Sequence, residues 1–179
     1  MRVAMYTLGC KVNQYETQAM ERELLRRGHE IVAFEDEADA YVVNTCSVTA
    51  ISDKKSRQML RRAKTAHPAA VVAACGCYSQ THVDEAECLE LDIVAGSAER
   101  EKFLDALEET VRERRYIRMI DDPLRRREFE VLPAGSVPGR TRAILKIEDG
   151  CTNFCSYCII PFARGRCRSM PPERFRSEI

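Results

Sequence analysis

The chain has 179 residues, 45% hydrophobic and 31% charged, with 28 Lys and Arg balancing 28 Asp and Glu. That length and composition fit one globular domain, or one domain and the start of another, and exclude collagen-like, mucin-like and disordered classes. The apolar run at 69–75 is far short of the roughly 18 residues of a membrane span, and the N-terminus has no secretion-signal pattern. The sequence therefore points to the cytoplasm.

The zero net charge hides an asymmetry. Residues 1–110 hold 13 Lys and Arg against 19 Asp and Glu, and residues 111–179 hold 15 against 9. The basic second part could meet a polyanion, although charge blocks are more often solvated faces.

Residues 2–8 form a short apolar run suited to a buried strand, which stops at Gly9-Cys10. Asn13, three residues before Glu16, has capping-box spacing, and the helix it predicts puts Tyr15, Ala19, Met20 and Leu24 on one face until Gly28 ends it. The same grammar repeats. An apolar run at 40–43 ends in Asn44-Thr45-Cys46, and a helix over 50–66 turns Ile51, Met59, Leu60 and Ala63 inward before His67-Pro68. A third run at 69–74 ends at Cys75-Gly76-Cys77. A fourth, at 91–95, precedes a helix over 98–115 that presents Phe103, Leu107 and Val111.

This alternation predicts an α/β fold with a doubly wound parallel sheet in a first domain over residues 1–115. Residues 116–139 concentrate proline, glycine and arginine and read as an extended linker, with a short strand around 129–132. A strand over 141–147, a turn at Glu148-Asp149-Gly150 and a helix after Pro171-Pro172 open a second unit over 140–179, too short for its own core.

Nine cysteines are the most informative feature. An odd number without a secretion signal argues against a disulfide framework and for metal or cluster binding. Cys151, Cys155 and Cys158 form C-x3-C-x2-C. Three thiolates on one loop can hold three irons of a [4Fe-4S] cluster and leave the fourth open to substrate or cofactor. The alternative is zinc, with Cys167 or a distant histidine as fourth ligand. Cys10, Cys46 and Cys77 each follow a predicted parallel strand, where open α/β sheets gather ligand-binding loops. They read either as a second cluster site or as buried structural thiols. Cys75, within the third strand, and Cys88, within a helix, are assigned to packing.

C-x3-C-x2-C after a strand resembles the signature of the radical S-adenosylmethionine (SAM) enzymes. The runs Thr7-Leu8-Gly9-Cys10-Lys11-Val12-Asn13-Gln14-Tyr15-Glu16-Thr17, Val43-Asn44-Thr45-Cys46-Ser47-Val48-Thr49 and Gly76-Cys77-Tyr78-Ser79-Gln80 resemble the three N-terminal motifs of the methylthiotransferases. Asp149-Gly150-Cys151 through Cys158, Pro161, Arg164 and Gly165 resembles their radical SAM motif. Lys11 to Glu16 and the run from Asp53 to Arg62 are most similar to the subgroup that acts on N6-threonylcarbamoyladenosine in tRNA. The isopentenyladenosine and ribosomal-protein subgroups are the alternatives.

The resemblance implies a (β/α) radical SAM barrel, here only begun, and a polypeptide expected to be inactive alone. It implies two [4Fe-4S] clusters. Cys151, Cys155 and Cys158 would hold the one that cleaves SAM to a 5′-deoxyadenosyl radical, which takes hydrogen from C2 of the modified adenosine, with Tyr157 near the SAM adenine. Cys10, Cys46 and Cys77 would hold the auxiliary cluster that presents the sulfur. No acid–base residue is required, because the cofactors carry the hard step. The implied partners are a tRNA anticodon stem-loop and a reducing electron donor of flavodoxin or ferredoxin type. For RNA contact, Lys54, Lys55, Arg57, Arg61, Arg62 and Lys64 on the second predicted helix, and the arginines near 125 and 164, are the candidates. Two rivals from other classes are an iron-sulfur carrier or scaffold and a zinc-stabilised RNA-binding module.

Overall fold

A computed structural model describes residues 1–135 and 144–178. Six parallel strands form its main sheet: β1 (Arg2–Thr7), β2 (Glu30–Val32), β3 (Ala40–Thr45), β4 (Val71–Gly76), β5 (Ile93–Ala95) and β6 (Ile117–Met119). Their order is β2-β1-β3-β4-β5-β6. The chain leaves β1 in one direction to build β2 and returns to the other side to build β3. The sheet is therefore doubly wound, with its switch point between β1 and β3.

Strand alternation supplies one apolar row to each face. Val3, Val42, Ala73, Cys75 and Ile93 meet Met20 and Leu24 of α1 (Lys11–Arg26) and Phe103, Leu104 and Leu107 of α5 (Arg100–Glu113). Ala4, Tyr41, Val43, Val72, Ala74 and Val94 meet Leu60 and Ala63 of α2 (Ala50–Ala66), together with Tyr78 and Ala86 from the short helices α3 (Cys77–Thr81) and α4 (Val83–Glu87). Helices on both faces explain why β3 and β4 are buried along their whole length.

Several expectations are corrected. Helix α1 begins at Lys11 with Cys10 as its N-cap and no side-chain cap, so Asn13 and Glu16 are buried inside the helix and form no capping box. Ile51 is 69% exposed, because it lies in the first turn of α2, and Ser56, Leu60 and Ala63 supply that helix's buried face. Cys88 lies in an exposed turn after α4, not packed in a helix. The sheet runs past residue 115 to include β6, and residues 129–132 form no strand. Part of the strand expected over 141–147 lies outside the described residues, and 144–147 is not a strand. Instead β7 (Glu148–Asp149) occupies the expected turn and pairs antiparallel with β8 (Arg168–Ser169). Helix α6 (Ile160–Arg164) has no counterpart among the expected elements, whereas α7 (Pro172–Glu178) is the expected last helix, beginning at the second proline of the pair.

Candidate metal centre at the carboxyl edge of the sheet

Three cysteines follow three adjacent strands. Cys10 caps α1 after β1, Cys46 directly follows β3, and Cys77 directly follows β4 as the first residue of α3. They occupy the carboxyl edge beside the switch point, where the diverging loops of an open α/β sheet leave a crevice. Two glycines make the close approach possible. Gly9 has φ +102°, and a Cβ there would lie 2.7 Å from Cys46 Sγ. Gly76 has φ +103°, and its Cβ would fall 2.5 Å from the Thr45 carbonyl oxygen. An L side chain at either position is both conformationally strained and sterically blocked.

The motif residues between the cysteines are mostly polar and buried, and they fasten the three loops together. Asn13 Nδ2 donates to the Thr45 carbonyl at 2.9 Å, while Asn44 Nδ2 donates to the Asn13 carbonyl and to Thr17 Oγ1, each at 3.1 Å. Thr45 Oγ1 donates to the Cys75 carbonyl at 2.6 Å. Ser56 of α2 brackets the backbone of Cys46, accepting from its N–H and donating to its carbonyl. These bonds tie the loops to one another through buried polar groups, and Asn44 Oδ1 is the atom of the set without a hydrogen-bond partner among the described residues.

The C-x3-C-x2-C loop joins the same edge through the helix that follows it. Ser97 Oγ, just after β5, donates to the Ala163 carbonyl, and the Cys151 N–H bonds the Gly165 carbonyl at 3.0 Å. Cys151 and Cys158 are half-buried and Cys155 is exposed. Tyr157 is 90% exposed. Phe154 stacks edge-on with Phe162, their centroids 6.0 Å apart, and the Arg166 guanidinium lies 5.2 Å over the Phe154 ring.

Between the two cysteine segments lies an ion cluster that sequence reasoning missed. Glu16 of α1 accepts from Arg164 Nη1 at 2.7 Å, Lys146 Nζ at 2.8 Å and Arg100 Nη2 at 2.9 Å. Asp149 pairs with Lys146 at 2.8 Å and Arg164 at 3.1 Å, with Arg168 at 3.5 Å. Burial would raise the Glu16 carboxyl, but Arg164, Lys146 and Arg100 hold it well below its usual 4.5. Asp149 is likewise held below its usual 3.8 by Arg164 and Lys146, against its burial. Arg164 also donates to Asn13 Oδ1 at 2.9 Å, the atom that accepts from Cys10 Sγ at 3.5 Å. Burial pushes the Cys77 thiol up in pKa, and the facing Arg164 guanidinium acts the other way.

Arg164, a candidate RNA contact by sequence, is corrected by its burial. It is 3% exposed, and its guanidinium is taken up by internal partners. The other basic candidates divide. Arg57 pairs with Glu85 at 3.0 Å and lies 5.7 Å over the Tyr78 ring, and Lys64 pairs with Asp92 at 3.0 Å. Lys54, Lys55, Arg61 and Arg62 lie along α2, where Arg61 and Arg62 are exposed, and the Arg125 side chain is 88% exposed beside Asp122.

The three thiols at the strand ends suit a thiolate-held cluster in kind and in position: one sheet edge, a glycine clearing space at Cys46, and a cation facing Cys77. They are not drawn into a closed ligand set, since no three His, Cys, Asp or Glu side chains among the described residues are grouped to hold a metal ion. The histidines are engaged elsewhere, His29 with Glu108, His67 with Tyr41 and His82 with Thr81. Cys167 donates to Glu148.

Fold and site together define a cysteine-bearing, doubly wound α/β protein with a second cysteine loop docked at the strand ends. The chain belongs to the family described as Uncharacterized protein family UPF0004, whose sequence model matches residues 2–96. It is 46% identical over 172 residues to the threonylcarbamoyladenosine tRNA methylthiotransferase MtaB of Bacillus subtilis, covering 96% of this chain and 38% of that one. It is 38% identical to the protein of that name from Aquifex aeolicus, covering 100% and 44%. With the ribosomal protein uS12 methylthiotransferase RimO of Trichlorobacter lovleyi it shares 34%, covering 99% and 40%. The chain thus spans about two fifths of the length of these relatives. Among solved structures, the radical S-adenosylmethionine methyltransferase TsrM from Kitasatospora setae, solved with tryptophan and a SAM analogue bound, matches with a TM-score of 0.57 at 15% identity. That match covers 99% of this chain and 44% of TsrM and bears on the fold alone.

Proposed function

We propose that this chain serves a radical SAM methylthiotransferase that converts N6-threonylcarbamoyladenosine of tRNA to its 2-methylthio derivative. The observation that carries this is the placement of Cys10, Cys46 and Cys77 at the carboxyl ends of the adjacent strands β1, β3 and β4, with the C-x3-C-x2-C segment docked against the same edge. The identity to the MtaB proteins favours the threonylcarbamoyladenosine subgroup over the one represented by RimO. In this reading the auxiliary-cluster unit runs to Met119, where the sheet ends, and residues 140–179 belong to the radical SAM unit.

Cys10, Cys46 and Cys77 would hold one [4Fe-4S] cluster and Cys151, Cys155 and Cys158 the other, each with one iron free of protein ligands. When bound, these groups and SAM supply radical activation of a C–H bond and delivery of sulfur. The residues of this chain hold the ligands in place: Asn13, Asn44 and Ser56 fix the cysteine loops, and Arg164 ties α6 to α1. Tyr157, exposed before the last cysteine, is available to the SAM adenine. The electron donor is a small reducing protein of flavodoxin or ferredoxin type, and the compartment is the cytoplasm.

Iron and sulfide analysis with Mössbauer spectroscopy after anaerobic reconstitution tests the reading. The parent chain is expected to hold about eight irons, and Cys10→Ala/Cys46→Ala/Cys77→Ala and Cys151→Ala/Cys155→Ala/Cys158→Ala about four each. Zinc displacing iron at both sites would overturn it.

The cations of α2 are the proposed contact for the anticodon stem-loop. Each phosphate neutralised releases counterions, so the quadruple variant Lys54→Ala/Lys55→Ala/Arg61→Ala/Arg62→Ala should flatten the slope of log K against log salt by about 3. An unchanged slope in a filter-binding titration would remove this face from the interface.

A further inference from the structure

The ion cluster is not neutral. Arg100, Lys146, Arg164 and Arg168 have side chains 2–7% exposed, against two buried carboxylates, Glu16 at 3% and Asp149 at 8%. Half-buried Glu130, which accepts from the Arg100 backbone N–H, adds a third carboxylate. The neighbouring Arg126 and Asp121 neutralise each other at 2.7 Å. Among the described residues four cations therefore face three carboxylates, and two buried guanidinium nitrogens, Nε of Arg100 and of Arg168, have no hydrogen-bond partner. Uncompensated buried charge is costly, so a further anion beside this arrangement would complete its balance.

Arg164 is the member that reaches the cysteine edge. It faces Cys77 and shares Asn13 Oδ1 with the Cys10 thiol. A thiolate-ligated iron-sulfur cluster at Cys10, Cys46 and Cys77 is the anion that would meet it, and the role of Arg164 therefore rests on the assignment of a cluster to these three thiols. Groups just outside the ligands set a cluster's potential through charge and hydrogen bonds. Reduction adds negative charge, and a fixed cation in a dry site stabilises the reduced form more than the oxidised one.

We propose that Arg164, held by Glu16 and Asp149, is a positioning residue for the auxiliary cluster and that its charge raises the cluster's reduction potential. The segment carrying the C-x3-C-x2-C loop thereby tunes the site on the other segment.

The test is a dithionite redox titration followed by electron paramagnetic resonance. It is made on the full chain carrying Cys151→Ala/Cys155→Ala/Cys158→Ala, so that one cluster is observed. Relative to that parent, Arg164→Gln should lower the midpoint potential, Glu16→Gln should raise it, and Arg164→Lys should restore it close to the parent value. A merely structural role would move Arg164→Gln and Arg164→Lys alike and give no opposite shift with Glu16→Gln. Either that pattern or equal potentials throughout would overturn the inference. If Arg164→Gln retains no cluster, Glu16→Gln decides, and an unshifted or lowered potential counts against the proposal. A parent that takes up no iron overturns the cluster assignment itself, and a parent that loads normally isolates the failure to Arg164.

Discussion

Replacing Glu16 by alanine is expected to reduce the unfolding free energy by about 3–5 kcal/mol, the cost of stripping one partner from a buried ion cluster. The effect is large because Arg100, Lys146 and Arg164 all converge on this carboxylate and none can reach water without leaving the interior. The cluster need not be more stable than an apolar replacement of all its members, since dehydrating six charges costs about what their attraction returns. What cannot be tolerated is the removal of one anion from a set already short of anions. Against a total stability of about 5–15 kcal/mol for a domain, the loss should appear as a marked fall in the urea midpoint.

The same residue sets the acid limb. Glu16 and Asp149 have folded-state values depressed below 4.5 and 3.8, so they bind fewer protons folded than unfolded. Their stabilisation is complete above those unfolded values and is lost as pH falls through the lowered ones. The parent should therefore lose stability steadily below about pH 4, and Glu16→Gln, less stable at neutral pH, should lose less on acidification. Urea midpoints measured from pH 7 down to 3 check this, and parallel curves for parent and variant would refute it.

Glu16 also shows where sequence reading stops. The main strands and the helices α1, α2 and α5 are legible because alternation and helical period repeat over enough residues to be read, and the cysteines stand out at their ends. The edge strands β2 and β6 have three residues each, too few for a period, and are fixed by pairing with β1 and β5. Asn13 and Glu16 have the spacing of a capping box, and nothing local distinguishes a cap from a buried pair. Their partners, Arg164 among them, lie up to 151 residues away in sequence. The motif marks Arg164 as notable, but its burial against Glu16 and Asn13 is not legible for the same reason. The docking of α6 depends on Ser97 and Arg126, neither of which belongs to a recognisable motif.

Cys75 gives the second large effect. It is fully buried in the core face shared with Val42 and Ala73, and burial pushes its thiol pKa up to about 11. Alkylation requires a thiolate in contact with solvent, so Cys75 should react with iodoacetamide only through unfolding. That suppresses its rate relative to exposed Cys10 and Cys88 by roughly a thousandfold or more. Cys46 and Cys77, 3% and 2% exposed at the sheet edge, should fall between, because opening a loop is easier than opening a core.

The contrast between Cys75 and Cys77 comes from the residue between them. In a continuing strand, residues two apart point to the same face, and Cys77 would follow Cys75 into the core. The left-handed backbone at Gly76, packed against Thr45, breaks the strand there and starts α3 with Cys77 at the crevice. Residue-resolved mass spectrometry of labelling time courses checks the ordering. Cys75 reacting as fast as Cys77 would show that the turn does not separate them. After reconstitution with iron and sulfide, protection should appear at Cys10, Cys46 and Cys77 while Cys88 stays reactive, which separates ligand thiols from exposed thiols without any activity measurement.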